Sequence, residues 1–261
     1  MKKSRANPDV RALLARLQAL ANPANVAGMA RFGINSENTL GVPVTVLRRI
    51  AREAGRSHAV ARDLWASGIH EARILATMVE EPELVGRRQL DAWARRFDSW
   101  DVCDQACMNL FRYTPFAFEK ASEWARAKPE FVRRAGFALM AALAGKAPGA
   151  PDAQFEAFFP LIAAAAGDER NFVRKAVNWA LRGIGKRNAA LRERAIAVAA
   201  EIRMQDSRAA RWIAADALRE LRSRSCGTDD RHPSSVNSGA DRQTTKSDGL
   251  SHFAPRPGPQ R

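Results

Sequence analysis

Apolar residues return three and four positions apart through almost the whole chain, and no segment alternates apolar with polar residues as a half-buried strand would. The pattern defines twelve segments, residues 8–21, 43–54, 57–67, 70–80, 87–98, 99–112, 116–127, 129–146, 153–167, 169–186, 188–203 and 206–223. Breaks fall at Pro23, Gly33 to Gly41, Gly55, Pro82, Pro115, Pro129, Gly145 to Pro151 and Gly167, so most connections are as short as antiparallel helix pairs need. Ser57, Asp168 and Asp206 each stand before a segment, where a side-chain oxygen can cap free backbone amides.

A series of short, tightly joined helices predicts an all-α fold, with pairs stacked into a helical-repeat superhelix. Phe131-Val132-Arg133-Arg134-Ala135 and Phe172-Val173-Arg174-Lys175-Ala176 echo each other 41 residues apart, inside the repeat range of about 40–47 residues for HEAT units. An irregular helical domain is the plainer alternative. From Ser225 the composition turns to Ser, Gly, Asp, Thr and Pro with too few large apolar residues for a core, which divides the chain into a helical domain, 1–224, and a disordered polar tail, 225–261. His232 and His252 fall in that tail and are not read as ligands or catalysts.

The chain carries 42 basic and 28 acidic residues, a net charge of +14, of which residues 225–261 supply only +1. An excess concentrated on the folded part suits a polyanionic partner, although a solvated charged face explains it equally well. No segment has the roughly 20 consecutive apolar residues of a membrane span, and the polar start Met1-Lys2-Lys3-Ser4-Arg5 has no apolar signal core. Three cysteines, two of them four apart in a helical pattern, do not make a disulfide framework; a reducing cytoplasm is the expected setting.

Asp98-Ser99-Trp100-Asp101-Val102-Cys103-Asp104-Gln105 gathers three carboxylates and a Trp at the start of an apolar helix. Trp100 and Asp104 are four apart and share a face. First-turn capping suffices for Asp98 or Asp101 and explains Asp104 less well. In Asn171 to Arg182, Lys175 and Trp179 share a face, with Arg174, Asn178 and Arg182 beside it. Core packing is the default for a Trp at such spacing. A phosphate-contacting stripe is the other use of such charge, formed by Arg133, Arg174, Lys175, Arg182, Lys186 and Arg187. Cys103 and Cys107 lack further ligands at metal spacing and read as small core residues. His70 opens a helix after Gly68, where a surface or capping role outweighs that of a base. No phosphate-binding loop, nucleophile elbow or dinucleotide fingerprint appears.

Taken in order, Met29-Ala30-Arg31-Phe32, Trp100-Asp101-Val102-Cys103-Asp104, Arg133-Arg134-Ala135 and Lys175-Ala176-Val177-Asn178-Trp179-Ala180-Leu181-Arg182 resemble the AlkD-type alkylpurine DNA glycosylases, HEAT-like-repeat DNA alkylation repair enzymes, over roughly residues 8–223. The resemblance implies a HEAT-like, armadillo-type superhelix with a basic concave face. It also implies a catalytic carboxylate at Asp104, pocket tryptophans at Trp100 and Trp179, and a functional arginine at Arg134 that would hold a phosphate. A third pocket aromatic, a Tyr in the family's best-studied type, falls on Phe32, which keeps the ring without the hydroxyl; Ser99 replaces a second Trp.

The implied activity is hydrolysis of the N-glycosidic bond of N3- or N7-alkylated purines in double-stranded DNA by a monofunctional glycosylase. No metal or organic cofactor, membrane or obligatory protein partner is implied, and a single copy suffices. The cationic base is already a good leaving group, so what remains is to stabilise an oxocarbenium-like sugar and hold water. The family is described as reading lesions through the DNA backbone, without a conventional base pocket, a mode that suits a concave solenoid. Two rival readings rest on the same charge: a non-catalytic HEAT protein binding distorted or branched DNA, and a protein-interaction scaffold.

Overall fold

The computed structural model describes residues 9–147 and 149–223, and the segment read as a polar tail lies outside the described residues. Among the described residues every regular element is helical. The α-helices are α1 (Val10–Ala19), α2 (Pro23–Ala30), α3 (Val44–Ala54), α4 (His58–Ala66), α5 (His70–Val79), α6 (Arg87–Ala94), α7 (Trp100–Asn109), α8 (Ala117–Trp124), α9 (Glu130–Lys146), α10 (Asp152–Glu156), α11 (Phe159–Ala165), α12 (Asn171–Gly185), α13 (Ala189–Arg203) and α14 (Arg208–Ser223). Single 3₁₀ turns stand at Pro82–Leu84 and Phe111–Tyr113. No helix among the described residues is long and apolar enough to cross a membrane.

Two helices beyond the twelve expected segments arise, both through proline. Pro23 does not merely break the chain: it begins α2, where its missing N–H would have no acceptor, and the Asn22 side chain caps the amides of Ala24 and Asn25 at 3.1 and 3.3 Å. Pro160, in the first turn of α11, divides the expected 153–167 helix, because it has no N–H to continue the hydrogen bonds of α10 and is tolerated in a first turn, where that donor has no acceptor. Caps also move. Ser57 caps α4 as expected, accepting from Val60 N at 3.5 Å, but Asp206 instead pairs with Arg211 while Ser207 and Glu169 accept the first amides of α14. Asp168 accepts from the Arg170 amide ahead of α12 and grips the Arg170 guanidinium.

The helices stack in two layers. In one, α3 packs on α5, α5 on α7, α7 on α9, α9 on α12 and α12 on α14; behind it α4 packs on α5, α8 on α9, and α13 on α12 and α14. This is the repeat architecture that the sequence predicts. The 41-residue echo marks its most extensive contact, α9 against α12, where the Phe131 and Phe172 rings lie 5.6 Å apart. An aromatic spine ties successive pairs together: Trp65 stacks on Trp93 at 4.1 Å, and Phe97, Phe111 and Trp124 continue it at spacings of 6.1, 6.1 and 5.5 Å. Gly136 lets α9 reach α8, since a Cβ there would stand 2.3 Å from the Ala125 backbone nitrogen. Three of the six tryptophans, Trp65, Trp93 and Trp124, are therefore core residues, the default role for Trp at helical spacing.

Candidate active site

The carboxylate at the centre of the site owes its place to a shared register. Trp100, Glu130 and Asn171 open α7, α9 and α12, so Asp104, Arg134 and Lys175 are each the fifth residue of successive helices in one layer. Asp104 and Arg134 meet as a bidentate pair, Nε to Oδ1 at 2.9 Å and Nη2 to Oδ2 at 2.8 Å, while Nη1 donates to the Phe172 carbonyl at 2.6 Å. The two residues are 7% and 2% exposed. Burial pushes the Asp104 carboxyl above its ordinary value of 3.8 against the pull of Arg134. Burial works the other way on Arg134, but the Asp104 charge more than offsets it and keeps the guanidinium protonated. Each guanidinium nitrogen of Arg134 thus donates to an acceptor inside the protein, and two of the three bonds hold the Asp104 carboxylate. Each Asp104 oxygen keeps a lone pair for a further donor.

Asp104 lines an open cleft of about 660 Å³ walled on one side by α2 and the connection to α3, and on the other by α7 and Trp179. The Trp100 guanidinium neighbour is Arg134, 5.7 Å from its ring centre, and Trp100 Nε1 donates to the Phe32 carbonyl at 3.1 Å. Phe32, Trp100, Asp104 and Trp179 line one cavity. Trp100 and Trp179 are half-buried rather than core, leaving ring surface for an occupant. Trp179 also borders a second, more polar cleft of about 850 Å³, with Lys146 and Lys186 on its rim.

One turn before Asp104, Asp101 does more than cap its helix. It accepts from Ser99 Oγ at 2.6 Å and meets His70 Nε2 at 2.8 Å. Burial alone would raise Asp101, but His70 and Ser99 draw it below its ordinary value of 3.8. Burial would lower His70, and the bond and charge of Asp101 reverse that, lifting it above 6.5. His70 is only 3% exposed, so the surface role expected of it gives way to a buried strut between α5 and α7. Asp98, by contrast, pairs with Arg73 at 2.8 Å near the surface.

The basic residues expected to meet phosphate separate into two groups. Arg187 donates to the carbonyls of Ala144 and Ala147 at 2.9 and 3.0 Å and lies 3.9 Å over the Phe155 ring, stapling the α9–α10 connection. Arg182 pairs with Asp216 and Glu220 at 3.0 and 2.7 Å, and Lys186 with Glu220 at 2.9 Å. Arg133 has a looser partner, Asp168 at 3.5 Å, and Arg174 bonds Asn171 at 3.2 Å and stands over Trp212. The Lys175 ammonium has no acidic partner among the described residues; burial, then Arg174 and Arg134, lowers its pKa. Arg133, Arg174 and Lys175 are thus the members with charge least spent internally.

Cys103 and Cys107 are buried and donate their thiols to the Phe131 and Ala135 carbonyls at 3.6 and 3.5 Å, stitching α7 to α9. Burial pushes the Cys103 thiol well up, which makes it a poor nucleophile. No group of three His, Cys, Asp or Glu able to hold a metal ion occurs among the described residues. Sequence reasoning missed α2 as a wall of the cleft and missed Gln105 and Met108 within it. The Asn22-Pro23 pair was the signal for α2, whereas Gln105 and Met108 carried none beyond their spacing from Trp100.

Among solved structures, the fold is similar to that of a protein described as one of "a new family of proteins related to the HEAT-like repeat DNA glycosylases with affinity for branched DNA structures". That likeness has a TM-score of 0.69 at 17% identity and covers 82% of this chain and 96% of that one. A designed armadillo repeat protein aligns with a TM-score of 0.33 at 14% identity, covering 68% of this chain and 92% of its own. No curated protein matches the chain. The model of the family described as "DNA alkylation repair enzyme" matches residues 13–221, and the chain belongs to that family.

Proposed function

We propose that the protein is a monofunctional DNA glycosylase that removes N3- or N7-alkylated purines from duplex DNA, working as a monomer in the cytoplasm. The observation that carries this reading is Asp104, held by Arg134 in a cleft that Trp100 and Trp179 also line. Alkylation at N3 or N7 leaves the base cationic, so breaking the N-glycosidic bond returns the electron pair to the base and moves positive charge onto the sugar. The Asp104 carboxylate and the aromatic faces stabilise that charge. A water held by the free lone pairs of Asp104 then bonds to C1′ and gives up its proton to the carboxylate. Arg133, Arg174 and Lys175 supply the phosphate contacts that dock the duplex.

A second reading, binding of branched or distorted DNA without chemistry, draws on the branched-DNA affinity of the structurally similar protein. The experiment is release of N7-methylguanine from methylated duplex DNA by the parent chain and Asp104→Asn side by side. The glycosylase reading expects release by the parent alone, with DNA affinity nearly equal in both. Release at equal rates removes Asp104 from the mechanism, and no release from either with DNA still bound favours the second reading.

A further inference from the structure

The cleft over Asp104 is acidic in a basic protein. Among the described residues, the charged side chains that line it are Asp101 and Asp104, although the chain as a whole carries a net charge of +14. The two carboxylates stand three apart on α7, a spacing that sets their Cβ atoms about 5–6 Å apart on one side of the helix. Most of the remaining wall is apolar or aromatic, with Met29 and Met108 beside Phe32, Trp100 and Trp179. Gln105, 8% exposed, lines it too: its Oε1 accepts from Asn109 at 3.0 Å, and its Nε2 donates to no group among the described residues, which leaves that donor to an occupant.

The two carboxylates differ in what balances them. Arg134 meets Asp104 through two bonds and keeps its charge at any working pH, so that pair sums to zero. Asp101 meets an imidazole instead, His70 Nε2 at 2.8 Å, with Ser99 Oγ at 2.6 Å on its other oxygen. The four groups together are neutral while His70 is protonated and carry one net negative charge once it is not. The charges behind them are engaged elsewhere. On α5, Glu71 accepts from the amides of Leu40, Gly41 and Val42, and Arg73 pairs with Asp98. The connection between α2 and α3 offers His70 only a backbone acceptor, the Asn38 carbonyl at 2.9 Å from its amide. Lys175, on α12 beyond Arg134, does not line the cleft.

We infer that Asp101 supplies the net negative charge of this cleft and so selects positive charge at the sugar, with His70 as the positioning residue that holds Asp101 and, when protonated, cancels it. The inference rests on the glycosylase reading for its occupant, the sugar cation that develops as the alkylated base departs. Asp104 touches that sugar, and Asp101 one turn earlier adds a charge that no fixed cation balances. Its side chain is 15% exposed and its surroundings are largely apolar, so solvent screens that charge weakly. Asp101 lifts His70 above its ordinary 6.5, so the cleft gains its charge as pH rises past that value.

The test uses two uncleavable duplexes that differ at one position: a neutral tetrahydrofuran abasic site, and a pyrrolidine analogue protonated at the anomeric position. With His70 neutral, the parent chain should bind the pyrrolidine duplex about tenfold more tightly than the tetrahydrofuran duplex, and it should lose most of that preference as acid protonates the ring. Asp101→Asn, which can still accept from His70, should bind both duplexes nearly equally throughout. His70→Gln should keep the preference in acid, where the parent loses it; a purely structural strut would give no such gain. A preference in Asp101→Asn equal to the parent's, or a parental preference that does not change with pH, overturns the inference. If the parent releases N7-methylguanine while giving either of those results, the inference falls and the glycosylase stands. A pH-dependent preference without any base release supports the role of Asp101 and refutes the glycosylase instead.

Discussion

Replacing Arg134 by Met isolates what the buried pair does. The change removes both bonds to Asp104 and the one to the Phe172 carbonyl while keeping much of the side-chain volume. A carboxylate that remains buried without its partner costs about 3–5 kcal/mol. For a helical domain of this size, at about 2–4 °C per kcal/mol, the melting temperature should fall by about 6–20 °C. The pH dependence follows from the direction in which Asp104 moves. Burial already holds it above its ordinary value of 3.8, and without Arg134 nothing opposes that push. A carboxyl whose folded pKa exceeds its unfolded one binds its proton more readily when folded, so acid favours the folded state. The deficit of Arg134→Met should therefore shrink as pH falls toward the carboxylate range and widen toward neutrality. Adding Asp104→Asn should recover part of the loss at neutral pH, because no unpaired charge is then left inside. Thermal melts of the two single variants and the double variant across pH provide the assay. An Arg134→Met melting temperature equal to the parent's, or a deficit that grows on acidification, would refute the pairing argument.

His70→Gln keeps a hydrogen-bonding group beside Asp101 and removes the charge. With His70 raised above 6.5 and Asp101 lowered below 3.8, the charged pair contributes fully between those ordinary values; His70's share is lost as pH rises through its raised value, and Asp101's as pH falls through its lowered one. Denaturant titrations should show a deficit of about 1–2 kcal/mol in that window, fading in alkali; a deficit independent of pH would leave His70 a packing residue only. Lys175→Ala, on the rung beside Arg134, should reduce the slope of log K for duplex binding against log salt by about 0.9, the share of one phosphate contact. An unchanged slope would place that contact elsewhere.

Much of the architecture was legible from periodicity, because a helix needs only local spacing and a repeat protein stacks each pair on its neighbours. The echo between Phe131 and Phe172 gave the repeat period and falls on the α9–α12 contact, Trp100 and Asp104 were paired by their spacing, and Trp179 joined them through the family resemblance. Proline was the weak point. The same residue reads as a break within the chain and as a helix start when a capping side chain precedes it, and Asn22 decided the matter for α2.

The sequence by itself determined the helical class, the spacing that puts Trp100 and Asp104 on one helix face, and a basic excess that suits a polyanion. Only the tertiary structure decided how each charge is used. Arg134 turns inward to a carboxylate, Arg187 to backbone carbonyls, and Arg182 and Lys186 to acids on α14, while Lys175 meets no acid among the described residues. The physical reason is that charge is a property of the residue, whereas desolvation and the nearest opposite charge belong to neighbours tens of positions away along the chain, and only packing brings those neighbours into contact.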